Sequence, residues 1–186
     1  MSVEVICIGA SAGGIQALQK LLKSLGKDFK TPLLVVLHIP EHSKVSLSTT
    51  LQNSYHGTTL DAVDKLQIEN SHCYIAPPGY HLLVEEDKSL ALSQEDPIKF
   101  SRPSIDVLFE SAALAFRSKV CGIILTGANS DGADGLKAVK DAGGIAIVQD
   151  PTEADYPTMP QASVDVCQPD SISKLDQMSI KLQELL

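Results

Sequence analysis

The chain has little that would tie it to a nucleic acid, a membrane or an oxidising compartment. It lacks an excess of positive charge: 15 Lys and Arg stand against 23 Asp and Glu, a formal net charge of −8. That average field repels phosphates, which excludes nucleic acid and anionic membrane surfaces as main partners. An acidic protein substrate gains no long-range steering from it either, so docking such a substrate requires a local basic patch. No apolar stretch approaches the ~20 residues a membrane span needs, so no membrane insertion is expected. Met1-Ser2-Val3-Glu4 carries no basic n-region, and glycines interrupt the apolar run behind it, so no signal peptide is read. Cys7, Cys73, Cys121 and Cys167 show no C-x-x-C spacing, and Cys7 and Cys121 sit inside apolar runs. Small buried thiols in a reducing compartment are expected, not disulfides or metal ligands. A cytoplasmic location follows from these absences.

What is present suits a globular fold. The 186 residues, 44% hydrophobic and 20% charged, can bury a substantial core, with no repeat, low-complexity tract or linker to divide them. A single domain over 1–186 is expected. Residues 3–9 (VEVICIG) read as a buried strand ending in a glycine turn. Ile15, Leu18, Leu21, Leu22 and Leu25 recur at helical spacing, with Gly26 placed to end the helix. Residues 33–37 (LLVVL) predict a second buried strand, and 43–52 a polar stretch of weak helical character. Residues 73–76 read as a strand stopped by Pro77-Pro78-Gly79. Residues 82–84 and 90–92 flank a charged turn and predict a hairpin. Ser104 is a candidate N-cap for a helix reaching Phe116. Strand 120–125, helix 132–142, strand 145–148 and a closing helix over 171–186 complete the pattern. The alternation predicts an α/β fold: a doubly wound, mostly parallel sheet with an antiparallel hairpin, in three α/β/α layers.

In such a sheet, sites collect beyond the carboxyl ends of the strands. Three reactive side chains stand there: Ser11, His38 and Asp131. Ser11 lies in Gly9-Ala10-Ser11-Ala12-Gly13-Gly14, a turn whose following helix offers free N–H groups to an oxyanion. A phosphate-binding turn in which Ser11 only caps the helix fits that stretch equally well. His38 ends an apolar strand, where a lone histidine is often structural. A right-handed β-α-β connection, however, brings it to the same edge as Ser11. Asp131 can accept the second N–H of the histidine, or it can cap the next helix. Asp134 and Asp150 compete for that role, Asp134 from within a helix and Asp150 from a turn before Pro151.

At these residues the sequence resembles the catalytic domain of the chemotaxis-type protein-glutamate methylesterases, the CheB family. The matching stretches run in order from about residue 3 to 165. They include Ile8-Gly9-Ala10-Ser11-Ala12-Gly13-Gly14, His38-Ile39-Pro40, Tyr74-Ile75-Ala76-Pro77 with Gly79 and His81, and Arg102-Pro103-Ser104-Ile105-Asp106-Val107-Leu108-Phe109. Leu125-Thr126-Gly127 with Asp131-Gly132, and Gln149-Asp150 with Met159-Pro160 and Ala162, complete them. The resemblance implies a Ser-His-Asp triad with Ser11 as nucleophile, His38 as general base and Asp131 as its orienting acid. It implies hydrolysis of γ-glutamyl methyl esters on chemoreceptor-type signalling proteins, with glutamine deamidation in some members and no metal or organic cofactor. Ala12, Gly13 and Ala128 are the expected oxyanion and substrate-wall positions.

The chain departs from the family at Ala12, where threonine is common, and at Gly127-Ala128-Asn129, where Gly-Met-Gly is common. It departs again at Glu41-His42-Ser43, where aromatics are usual. The receiver domain that commonly precedes the family's catalytic domain is not in the sequence, so the resemblance implies either an unregulated enzyme or control from a separate receiver partner. Two other functions compete. One is a receptor-binding domain of the same fold without useful activity. The other is a nucleotide-binding module, against which Ser11 stands where G-x-G-x-x-G wants its second glycine.

Overall fold

The structure, a computed structural model, describes residues 2–40, 42 and 46–185. Val5–Ala10 (β1) and Leu33–Leu37 (β2) are buried along their whole length, because helices cover both faces of the sheet they share. Gly14–Ser24 (α1) joins them and buries Ala17, Leu18, Leu21 and Leu22 on one stripe. Leu47–Gln52 (α2), Thr58–Asp61 (β3) and His72–Ile75 (β4) follow. His81–Val84 (β5) and Leu90–Ser93 (β6) are antiparallel, with His81 opposite Ser93 and Val84 opposite Leu90. Ile105–Phe116 (α3), Val120–Ile124 (β7), Ala133–Asp141 (α4), Ile145–Gln149 (β8), Thr158–Cys167 (α5), Ser171–Ser173 (β9) and Leu175–Leu185 (α6) complete the order.

Among the described residues, the main sheet has seven strands in the order β3-β4-β2-β1-β7-β8-β9, and each neighbouring pair is parallel. Period-two alternation in the strands feeds two cores. Ile6 and Ile8 pack with Leu18, Leu22, Met178 and Leu182 on one face. Val5 and Cys7 pack with Leu82, Phe109, Leu136 and Met159 on the other. This is the three-layer arrangement expected, except that the hairpin forms a separate two-stranded sheet. Among the described residues, no helix is long and apolar enough to cross a membrane.

Several elements differ from the sequence reading. β3, α5 and β9 were not expected, and the closing helix begins at Leu175, not at residue 171. β3 is a short edge strand, Thr-Thr-Leu-Asp, with no apolar run to mark it. Residues 171–173 add to the opposite edge beside β8; Ile172 falls at helical spacing from Leu175 and reads as part of the helix's apolar stripe, yet on the edge strand it is 49% exposed. The weak helical stretch is helical only from Leu47, with Ser46 accepting the Thr49 N–H, and residues 43–45 lie outside the described residues.

The order of the strands decides where a site can form. From β1 the chain winds outward through β2 toward β3, then returns to β7 on the other side of β1. The crevice beyond the carboxyl ends of β1 and β7 is therefore a topological switch point, bordered by the loops after β1, β2 and β7.

Candidate active site

Parallel pairing sets the first two residues. Ala10 is in register with Leu37 and the His38 N–H donates to the Ala10 carbonyl at 3.1 Å, so Ser11 and His38 leave adjacent strands at the same level. On the other side, the Ser11 N–H donates to the Thr126 carbonyl at 3.0 Å and fastens the serine turn to the loop after β7. The structure thus brings Ser11, His38 and the 126–131 loop to one edge, as the sequence predicted.

Asp131 is the most heavily bonded group there. Its side chain is 0% exposed, and Oδ2 accepts from His38 Nε2 at 2.8 Å and from the Ile105 N–H at 2.7 Å. Oδ1 accepts from Ser104 Oγ at 2.8 Å and from the Asp106 N–H at 3.1 Å. Burial alone would raise the Asp131 pKa. The hydrogen bonds from His38 and from the first turn of α3 outweigh it and hold the carboxyl below the usual range. Asp131 therefore caps a helix, but the helix is α3 and not the α4 that follows it in sequence. Ser104 occupies the N-cap position of α3 as expected, yet its hydroxyl serves Asp131 and makes no cap bond of its own.

The reciprocal capping comes from Asp106 in α3. Its Oδ1 accepts the Gly132 and Gly135 N–H groups of α4 at 2.9 and 2.7 Å, and its Oδ2 pairs with Lys99 at 2.7 Å. Burial raises the Asp106 pKa despite Lys99, and the Asp131 charge raises it further. Burial works against the Lys99 charge too, but Asp106 and Asp134 prevail and push its pKa up to about 12. Two buried carboxylates thus lock α3 and α4 together at the sheet edge. Asp106→Ala strands two buried N–H groups and should cost roughly 2–4 kcal/mol in denaturant titration. Asp106→Asn keeps a carbonyl acceptor and should stay within about 1.5 kcal/mol of wild type. Equal losses would assign the effect to the Lys99 pair, not to capping.

With Nε2 donating to Asp131, neutral His38 presents Nδ1 as its basic nitrogen, and the ring is 12% exposed beside a cleft of about 370 Å³. Ile39, Pro40, Pro97, Phe100, Arg102 and Pro103 line that cleft. Among the described residues, no hydrogen bond joins Ser11 Oγ to His38. Nδ1 instead accepts from Asn129 Nδ2 at 3.3 Å. Catalytic hydrogen bonds of this kind commonly tighten only when substrate binds.

Behind the serine, the chain runs through Ala12 and Gly13 into α1. Gly13 adopts φ +76°, where a Cβ would also meet Asp155 Oδ2 at 3.0 Å, so glycine is required for the turn. Among the described residues, the N–H groups of Ala12, Gly13 and Ala128 donate to no acceptor. Ala12 and Gly13 lie at the positive end of the α1 dipole and Ala128 on the facing loop, an arrangement suited to a negative oxygen. Thr126 braces that wall: Oγ1 donates to the Ala12 carbonyl at 3.0 Å and accepts the Tyr156 N–H at 2.9 Å, while its own N–H donates to Gln149 Oε1 at 2.8 Å.

The competing acids stand elsewhere. Asp134 is exposed on α4 and pairs with Lys99, and Asp150 accepts from the N–H and hydroxyl of Thr152 in a turn. His81 approaches the site only indirectly, its Nδ1 accepting the Ser104 N–H at 3.1 Å. The sequence reading gave Ser104 only a helix-capping role and assigned none to Thr126, Asn129 or Gln149. Polar side chains at the ends of apolar strands, as at Thr126 and Gln149, were the available signal. Among the described residues, no group of three or more His, Cys, Asp or Glu side chains is placed to hold a metal ion.

Comparison with known proteins identifies the family and the fold. Residues 6–182 match the family described as CheB methylesterase. A relative from Leptospira interrogans is 42% identical over 187 residues, covering 99% of this chain and 97% of its own length. A protein-glutamate methylesterase/protein-glutamine glutaminase from Clostridium acetobutylicum is 31% identical over 185 residues, and this chain spans only 54% of its length. The crystal structure of the Thermotoga maritima CheB methylesterase catalytic domain superposes with a TM-score of 0.93 at 30% identity, covering 100% of both chains. With the family match, the relative aligned over nearly its whole length and the fold in agreement, the chain belongs to the CheB methylesterase family.

Proposed function

We propose that this chain is a serine hydrolase acting on glutamyl methyl esters of chemoreceptor-type signalling proteins. The observation that carries the reading is the 2.8 Å hydrogen bond between His38 and the fully buried Asp131, at the edge where Ser11 leaves β1. Asp131 fixes the histidine tautomer and stabilises the imidazolium as it forms. His38 Nδ1 takes the Ser11 proton while Oγ attacks the ester carbonyl. The N–H groups of Ala12, Gly13 and Ala128 receive the oxyanion. The proton then passes to the departing methoxide and methanol leaves. Water, deprotonated in turn by His38, hydrolyses the glutamyl-Ser11 ester. Glutamine deamidation would use the same steps with ammonia as the leaving group.

The receptor segment would lie in the cleft beside His38. The site of action would be the cytoplasm. Incubation with methyl-esterified receptor fragments should release methanol. An absence of release from fragments that another protein-glutamate methylesterase does demethylate would contradict the proposed substrate.

A further inference from the structure

Asn129 contacts the one atom of His38 that the proposed chemistry needs free. Its Oδ1 accepts the Asp131 N–H at 3.1 Å, and its Nδ2 donates to His38 Nδ1 at 3.3 Å. The orientation of the amide is determined by its surroundings. His38 Nε2 donates to Asp131, so Nδ1 of the neutral ring can only accept, and the Asp131 backbone can only donate. Turning the amide over would set its N–H against the Asp131 N–H, donor on donor, and its oxygen against the bare His38 Nδ1, acceptor on acceptor. The contact therefore fits neutral imidazole and opposes imidazolium, whose Nδ1–H would face the amide N–H groups.

Resting on the hydrolase reading above, we infer that Asn129 is a latch on the histidine base, holding His38 away from Ser11 until substrate displaces the amide. The half-buried side chain lies between exposed Ala128 and exposed Ser130, so it has solvent to swing into. Its neighbour Gly127 is pinned instead, donating to the Tyr156 carbonyl at 3.0 Å and accepting the Met159 N–H at 2.9 Å. Motion is thus confined to the side chain and the tip of the loop. Asn129 is a positioning residue: it touches the base and not the reacting carbon.

The latch predicts that removing the amide speeds attack by Ser11, whereas a residue that merely supports the fold would slow it when lost. A fluorophosphonate reports this without a receptor substrate. The Ser11 Oγ–P bond forms, the P–F bond breaks, fluoride leaves and the serine proton passes to His38. Asn129→Ala and Asn129→Gly should be labelled about three- to tenfold faster than wild type, the effect of releasing one ordinary hydrogen bond. Labelling should disappear in Ser11→Ala. In ¹⁵N spectra of the imidazoles, assigned with His38→Gln, the His38 Nδ1 resonance should move in both Asn129 variants. Ser11-dependent labelling of both variants at the wild-type rate or slower would overturn the latch alone. An absence of Ser11-dependent labelling in all of these proteins would overturn the hydrolase reading, and the latch with it.

Discussion

Asp131→Asn should slow ester hydrolysis by roughly three to four orders of magnitude and weaken the fold as well. Both effects follow from its four donors: His38 Nε2, Ser104 Oγ, and the Ile105 and Asp106 N–H groups. An amide has one acceptor oxygen. Whichever way it lies, its N–H₂ faces two of those donors, leaving either the histidine misoriented or part of the α3 cap unmade. The stability cost should be roughly 2–4 kcal/mol, because the abandoned groups are buried. Asp150→Asn, in an exposed turn, should remain near wild type in turnover. A dead Asp150→Asn beside an active Asp131→Asn would mean that the orienting acid is misassigned.

The same bonds give stability a pH dependence. Because folding lowers the Asp131 pKa, its ionised form adds stability that is present above the unfolded carboxylate pKa and lost as pH falls through the lower folded value. Asp106 has the opposite sign: its folded pKa is raised, so its ionisation costs stability as pH climbs through that value. Acid titration of Asp131→Asn should therefore lack part of the wild-type loss at low pH.

Ser11→Ala should be the reverse case, with activity lost and the fold retained. Removing a nucleophile of this kind lowers turnover by about 10⁶-fold, leaving only what the remaining site provides. Among the described residues, the Ser11 hydroxyl makes no hydrogen bond, and its anchor to the 126–131 loop is the backbone N–H, which alanine keeps. The stability change should stay within about 0.5 kcal/mol. That contrast would separate the two residues: on the proposed mechanism Ser11 is needed for chemistry alone, whereas Asp131 serves both chemistry and the junction of α3 with α4.

Much of this was legible in the chain because apolar runs and glycine turns mark the buried strands. The LLVVL run was read as a strand over the same residues that form β2, and Ser11, His38 and Asp131 could be placed at one edge from strand order alone. What escaped the sequence were bonds between distant segments. No local pattern indicates that Asp131 caps a helix starting 26 residues earlier, that Asp106 returns the cap, or that Ser104 gives its hydroxyl to the acid instead of its own helix. Asn129 was visible only as a departure in the Gly127-Ala128-Asn129 stretch, and its contact with His38 depends on a side-chain orientation set by tertiary neighbours. β3 and β9 were missed for a related reason: they are the edge strands of the sheet, where burial imposes no clear apolar period. α5 buries Met159, Pro160, Ser163 and Cys167, a stripe whose proline and serine do not read as helical core.

The central claim is that Ser11 carries the glutamyl group between two half-reactions. Acid quenching during turnover of a methyl-esterified receptor peptide, followed by proteolysis and mass analysis, tests it directly. The peptide containing Ser11 should gain the mass of the substrate acyl group, and the gain should vanish in Ser11→Ala. Sustained methanol release by Ser11→Ala, or an acyl adduct confined to another residue, would contradict the account.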